Sequence, residues 1–390
     1  MAINKEFGIV AVAYNRVESI SRLLDSLKKA EYFDEIIDLV ISIDFSGDNS
    51  VYNIAREFEW PYGNKRIIHH SKNLGLRSHV LFCGSFTKEY KNICVFEDDV
   101  FVSPAFYNFA KQAVKYYEND ESVAGISLYT HMWNQFVDRP FTCISNEYDV
   151  FFMQQAKSWG QIWSESKWAD FICWYELNKD MNLEADNFPK AISNWSKSSW
   201  LKYHMKYLVE KNKFFVFPKQ SLTTNFSDIG THAMVASNCY QVPLEMGKNK
   251  IYKFQKSTDN NYIYDVFFEN KILHDILDLN ERELTIDLYG QKTCFKEYLL
   301  TSKQLNFEII KSYGLRLRPH ELNIILNLSG EDIFLYNTSR IHQNAKKNYL
   351  VLNQFVYDIK TSAKKKLMMA SLYYYFGALR MKINKILENL

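Results

Sequence analysis

The chain has 390 residues, 47% hydrophobic and 24% charged, enough for at least one large packed core and too apolar for wholesale disorder. Lys and Arg number 47 against 45 Asp and Glu, a formal charge of +2, which excludes a protein coated in nucleic acid. Aromatics reach 16%; they read either as AT-rich coding bias with aromatic packing or as a sugar-stacking surface, and composition does not choose.

Residues 7–13 form a short apolar run suited to a strand buried on both faces, breaking into Tyr14-Asn15-Arg16. Behind it, Ile20, Leu23, Leu24 and Leu27 have the spacing of one helix face. A second strand is expected over 36–44, closing on Asp44, with a turn over 46–49. Residues 66–69 read as a third strand and 76–86 as a helix. The fourth strand, 93–97, runs into Glu97-Asp98-Asp99. Four strand-then-helix units predict an open parallel sheet, whose ligands sit at the carboxyl ends of its strands. The polar residues just named all lie at such ends.

Farther on, 123–127 reads as a strand, 158–174 is tryptophan-rich, 200–211 a helix, 214–217 a strand and 225–232 a polar loop. A Lys/Asn-rich stretch over 248–261 has the composition of a linker. The expected organisation is therefore a domain over 1–250, a smaller α+β domain over 251–355 with an acceptor-side or homo-oligomerisation role, and a C-terminal segment over 356–390. That segment carries Lys360, Lys364, Lys365, Lys366, Arg380, Lys382 and Lys385 around an apolar block at 367–379. It is expected as a basic amphipathic helix lying on an anionic membrane surface, with docking on the protein or a dimer partner as the competing reading. Six scattered cysteines without a C-x-x-C pair argue against a disulfide framework or structural zinc and fit a reducing compartment. With no signal-peptide pattern at the start, the expected location is the cytoplasm, peripheral on the inner face of the plasma membrane.

Three consecutive carboxylates after an apolar strand repel one another unless something neutralises them, and a Mg²⁺ or Mn²⁺ ion with hard oxygen ligands does so while keeping water and phosphate ligands. An exposed acidic turn is the plainer alternative. The surrounding motifs lower its weight. The run 9–16, ending in Tyr14-Asn15-Arg16, then Asp44, then Asn73-Leu74-Gly75-Leu76-Arg77, then Glu97-Asp98-Asp99 with Ser103-Pro104 behind it, resembles the GT-A glycosyltransferases. It is most similar to bacterial family-two enzymes and N-acetylglucosaminyltransferase I, over residues 7–235.

The resemblance implies an α/β, Rossmann-like nucleotide-sugar-binding domain with a mostly parallel sheet, and transfer of a sugar from a nucleotide diphosphate, UDP by resemblance. The acceptor would be a glycan or lipid-linked molecule; for a bacterial enzyme the class implies capsule, O-antigen or related surface polysaccharide assembly. Carried over, Asp99 would ligate the metal. Glu97 and Asp98 would hold ribose, sugar hydroxyls or metal-bound water. Asn15 and Arg16 would meet the base or phosphates, with Tyr14 in the same base-binding loop; Asp44 would reach toward base and ribose, and Asn73 would belong to the loop beside the nucleotide. Arg77 would lie near diphosphate or ribose, and His79 would either stack on the base or sit on the surface. Trp159-Gly160 resembles the loop lining donor sugar and acceptor, with Trp163 and Trp168 read as core. Gly230-Thr231-His232 resembles the family's closing G-T-H, making His232 a metal or diphosphate contact.

The expected general base is missing: no acid stands beside Trp195 or Trp200; the nearest are Glu184 and Asp186, of which Asp186 is the candidate, and the stereochemical outcome stays open. Two rivals follow, a degenerate sugar-nucleotide-binding scaffold and a nucleotidyltransferase. The second is disfavoured because the loop after the first strand has no glycine.

Overall fold

The computed structural model describes residues 5–226, 228, 238–257, 262–344, 357–359 and 363–387. Apolar runs build its centre. β1 (Lys5–Ala13), β2 (Asp38–Ile43), β3 (Lys65–His69) and β4 (Tyr90–Glu97) alternate with α1 (Val17–Lys28), α2 (Ser50–Glu57) and α3 (Leu76–Gly84). Every position of β2 is buried, as expected of a strand covered on both faces. There follow β5 (Val100–Val102), α4 (Phe106–Tyr117), β6 (Val123–Ser127) and the hairpin β7 (Trp133–Asn134) with β8 (Arg139–Pro140). β9 (Val150–Met153), β10 (Gln161–Ser164), α5 (Glu165–Asn178), α6 (Lys190–Ser193), α7 (Leu201–Glu210), β11 (Phe214–Pro218), β12 (Thr223–Asn225) and β13 (Ile263–Tyr264) complete this part.

Among the described residues nine strands join in one sheet, in the order β13-β9-β11-β6-β10-β4-β1-β2-β3. β1 to β4, β6 and β11 point one way, while β9, β10 and β13 oppose them. The mostly parallel central sheet expected from the sequence is thus present. Alternate residues serve the two faces: Ile9 and Ala11 pack with α1, α2 and α4, whereas Val10 and Val12 pack with α3, α5 and α7. In α1, Ile20, Leu23, Leu24 and Leu27 are all buried, so the helix periodicity read from the sequence is the one used.

A second, four-stranded sheet has the order β14 (Leu284–Asp287), β15 (Tyr298–Thr301), β17 (Ile333–Ile341), β16 (Phe307–Tyr313), with α8 (Ile272–Leu277) and α9 (Leu322–Ile325) nearby in sequence. The chain divides into two compact units, Met1–Gln343 and Asn344–Leu390. The Lys/Asn-rich stretch is packed where it is described. Lys250 pairs with Asp149 at 2.9 Å, Tyr252 meets the Phe109 ring at 5.0 Å, and the Gln255 carbonyl accepts from the Tyr117 hydroxyl at 2.8 Å. Its polar composition reflects a strap held by ion pairs and backbone bonds along α4, not a free hinge. β13 then returns the chain to the main sheet.

The second unit contains the helix Lys364–Leu387, with Lys360 outside the described residues. Its apolar block is not confined to one face. Tyr373, Tyr374, Tyr375 and Phe376 are all exposed, and successive positions on a helix lie about 100° apart, so the apolar surface circles the axis. No helix among the described residues is long and apolar enough to cross a membrane.

His204 on α7 is buried, stacked on Phe171 at 4.2 Å and 21°, with neither ring nitrogen hydrogen-bonded. Burial pushes its pKa from 6.5 down to about 3. The folded chain therefore keeps His204 neutral, whereas the unfolded chain takes up a proton as pH falls below about 6.5; stability is full above that value and is lost on acidification. His204→Phe should reduce the loss of urea stability between pH 7 and pH 5 by about 2 kcal/mol. Equal losses in both proteins would contradict this assignment.

Candidate donor site

The site begins with strand register. β1 and β4 are parallel neighbours, with Val12 opposite Glu97, so the loops leaving both strands emerge side by side. The chain runs outward from β1 through β2 to β3, then returns to lay β4 on the other side of β1. This is the switch point at which open parallel sheets bind ligands. Tyr14 and Asn15 are exposed there, and Arg16 folds back onto the acids. Its Nε lies 3.3 Å from Asp98 Oδ2, its Nη2 donates to Asp98 Oδ1, and its Nη1 lies 3.5 Å from Asp99 Oδ2.

The electrostatics are unequal across the three acids. Burial pushes Asp98 up, and the charge and hydrogen bonds of Arg16 pull it back to about 6. Burial on its own lowers Arg16, but Asp98, Asp99 and Glu97 together raise it. The two shifts share one contact, and the forked geometry decides between them: Asp98 stays ionised. Glu97 is partly buried and pushed up, first by desolvation and then by the charges of Asp99 and Asp98, with Ser158 and Arg16 opposing. Asp99 keeps one buried oxygen, Oδ1, without a hydrogen-bond partner. One arginine thus faces three carboxylates, and an orphaned hard oxygen remains.

Among the described residues no three His, Cys, Asp or Glu side chains enclose a metal by themselves. Mg²⁺ and Mn²⁺ sites typically draw one or two carboxylates and complete the shell with water and phosphate. The unpartnered Asp99 oxygen beside a desolvated Glu97 fits such an ion. His232 lies outside the described residues. The stem of its loop reaches the acids: β12 pairs with β5, and the Phe226 amide donates to the Asp99 carbonyl at 3.0 Å.

Asp44, expected to face base and ribose, is buried at the end of β2 and turned to the backbone. Its Oδ1 accepts from the amides of Phe45 (2.9 Å) and Leu74 (2.8 Å), and its Oδ2 from Gly75 (3.0 Å). Gly75, at φ +76°, supplies the left-handed turn that opens α3. Asn73 donates to the Phe45 carbonyl at 2.9 Å and lies 3.4 Å from the Tyr14 hydroxyl, tying the two loops together. Arg77 points elsewhere, its guanidinium 4.7 Å from the centre of the Tyr203 ring. His79 is neither stacked on a ligand face nor on the surface. It is buried, 2.8 Å from Ser42 Oγ, and burial pushes its pKa down to about 4.

β10 runs antiparallel to β4 with Gln161 opposite Val95, which sets Trp159 and Gly160 beside the acids. Gly160 has φ +94°, and a Cβ there would come within 2.9 Å of Thr223. Trp159 is half-buried, 4.7 Å from Tyr240 and edge-on to Tyr129 at 4.9 Å. Trp163 and Trp168 are core, stacked 4.0 Å apart. Sequence reasoning missed Lys157, which is buried with its Nζ 4.6 Å from the Trp159 ring and 2.7 Å from Gln135 Oε1. Burial pushes it down to about 7. Nothing in a lone lysine of the sequence signals such desolvation. Asp186 is exposed and lines a different cleft, of 400 Å³, whose walls include Asp265, Glu269 and Lys292 and none of the donor-site residues. Its proximity in sequence to Trp195 does not carry it to the acids.

Residues 8–167 match the family model described as Glycosyl transferase family 2. No curated protein matches the chain. Solved structures similar to it include S. aureus TarS 1-349 (13% identity, 56% of this chain and 59% of that one, TM-score 0.38). Its complex with UDP-GlcNAc is similar at 13% identity over 60% and 61%, with a TM-score of 0.40. GalNAc-T7 with UDP, GalNAc and Mn²⁺ is similar at 11% identity over 56% and 43%, with a TM-score of 0.39. The chain spans about six tenths or less of the length of these structures, and such distant likenesses carry no function on their own.

If Asp44 organises the 73–75 loop, Asp44→Ala should cost about 3 kcal/mol, since the amides it serves lose a charged acceptor. Hydrogen exchange at Leu74 and Gly75 should rise together, with Asp44→Asn intermediate. Unchanged exchange at both amides would contradict the role.

Proposed function

We propose that the chain is a divalent-metal-dependent glycosyltransferase that moves a sugar from a nucleotide diphosphate, UDP by resemblance, to a hydroxyl of a glycan or lipid-linked acceptor. The observation that carries this is the unpartnered buried oxygen of Asp99 next to a desolvated Glu97, at the switch point of a family-two domain. Asp99 would ligate Mn²⁺ or Mg²⁺, with His232 as a further candidate from the loop behind it. The chemistry such an ion supplies is charge compensation on the leaving diphosphate.

The chain's own residues do the rest. Arg16 fixes Asp98 and Asp99 in place, and Glu97 and Asp98 offer oxygens to ribose or to metal-bound water. Tyr14, Asn15 and Asn73 form the rim for the base, over a loop that Asp44 holds. Trp159 presents a flat face to the C–H side of a sugar, and Gly160 lets the backbone come close. Asp186 is not carried forward as a base. Bacterial capsule or O-antigen assembly is the setting that family analogy suggests. The terminal helix would bring the enzyme to an anionic membrane, its lysines at 364–366 ahead of an apolar collar; at about 20 Å, residues 367–379 are too short to span a bilayer of about 30 Å. A sugar-nucleotide-binding scaffold remains the second reading, favoured by the absence of an acid beside Trp195 and Trp200.

UDP release from UDP-sugars with Mn²⁺ separates the two. The enzyme reading expects turnover that chelation abolishes and that Asp99→Asn lowers by about 10²- to 10³-fold. Turnover indifferent to chelation would overturn the metal assignment, and binding without turnover under any donor would favour the scaffold.

A further inference from the structure

Beside the donor loop lies a cleft of 620 Å³ whose walls include the first turn of α3 and the chain on either side of α6. Cations dominate its lining. Arg77, Lys179, Lys197 and Lys202 face it against one acid, Asp180. Lys179 is taken up by Glu176 at 2.6 Å. The other three have no carboxylate partner among the ion pairs of the described residues. Lys202 is buried, and Arg77 and Lys197 are near enough to depress it further, after burial itself.

Like charges held together in a partly buried cleft cost stability unless an anion joins them. The fold keeps these in place deliberately. The Tyr203 ring is near two of them, 4.7 Å from the Arg77 guanidinium and 5.7 Å from the Lys202 ammonium. Burial on its own lowers Arg77, but hydrogen bonding to Tyr175 and Tyr203 raises it. Lys202 donates one N–H to the Trp195 carbonyl at 2.9 Å, and its ammonium has two more to give. The first-turn amides of α3 belong to residues of the same wall, and the helix has no side-chain cap, since Gly75 precedes it. Ser193 and Ser198 add hydroxyls to the lining. Fixed guanidinium, ammonium and amide donors around one space are the recognition chemistry of a phosphate group.

We propose that this cleft binds a phosphate group of the acceptor, so that the enzyme glycosylates a phosphate-bearing molecule, whether soluble or lipid-linked. The donor's own diphosphate is assigned to the acids at 97–99, and neither those acids nor Arg16 line this cleft. Naming the ligand as acceptor rests on the transferase reading; the presence of a phosphate site does not.

The test uses the full chain and sn-glycerol 3-phosphate as the soluble probe, titrated calorimetrically with and without saturating UDP and Mn²⁺. The site predicts saturable binding that persists when UDP is bound. Lys197→Ala and Lys202→Ala should each weaken it by about tenfold while leaving UDP affinity within twofold. Lys197 is exposed, so its variant remains informative if the buried Lys202 variant fails to fold. Phosphatidic acid vesicles form the second arm: tighter, Lys197-dependent binding to them than to the soluble probe assigns the lipid-linked source, and the reverse assigns the soluble one. No saturable phosphate binding by the unaltered chain in either arm, or full competition by UDP, overturns the proposal. Failure of UDP to bind, with phosphate binding intact, would instead sink the transferase reading and leave this site standing.

Discussion

The contact between Arg16 and the acidic end of β4 is the constraint around which the rest of the candidate donor site is arranged. Burying a carboxylate without a partner costs several kcal/mol, and here three follow one another at the end of a buried strand. Parallel pairing of β1 with β4 brings one guanidinium to them, and its fork satisfies Asp98. That leaves Glu97 and Asp99 under-compensated. In the protein alone the imbalance is relieved by a raised Glu97, whose neutral form removes one charge. On the proposed function, a divalent ion and a nucleotide diphosphate would offset the same imbalance.

The neighbouring loops can be understood as support for that geometry. Asp44 accepts backbone amides, Gly75 allows the turn into α3, and Asn73 ties the turn to the loop after β1. On the far side of β4, β10 sets Gly160 and Trp159 against the acids, and Thr223 anchors the Trp159 carbonyl at 2.6 Å. Rigid strands therefore fix both walls.

The parallel strands were legible because burial on both faces leaves continuous apolar runs, and the residues that end them are polar for want of a partner strand. Residues 123–127 and the helix face of Ile20, Leu23, Leu24 and Leu27 follow from apolar patterning in the same way. What escaped depended on contacts distant in sequence. β10 hides in a tryptophan-rich stretch because its pattern reflects packing against β4 and β6. The strap at 250–255 is polar in composition, yet it is held by Asp149, Phe109 and Tyr117, all far behind it in the chain. Asp44 lies at the strand end that the sequence indicates, but no spacing rule reveals that its oxygens also accept the amides of Leu74 and Gly75. The aromatic tetrad of the terminal helix was visible as apolar; that it encircles the axis follows only from consecutive positions.

Anomalous diffraction from the full chain crystallised with UDP and Mn²⁺ tests the central claim most directly. The account predicts one manganese peak within about 2.5 Å of an Asp99 carboxylate oxygen and bridged to the diphosphate, with Arg16 still on Asp98. UDP bound with no ion near residues 97–99, or seated at another edge of the sheet, would contradict it.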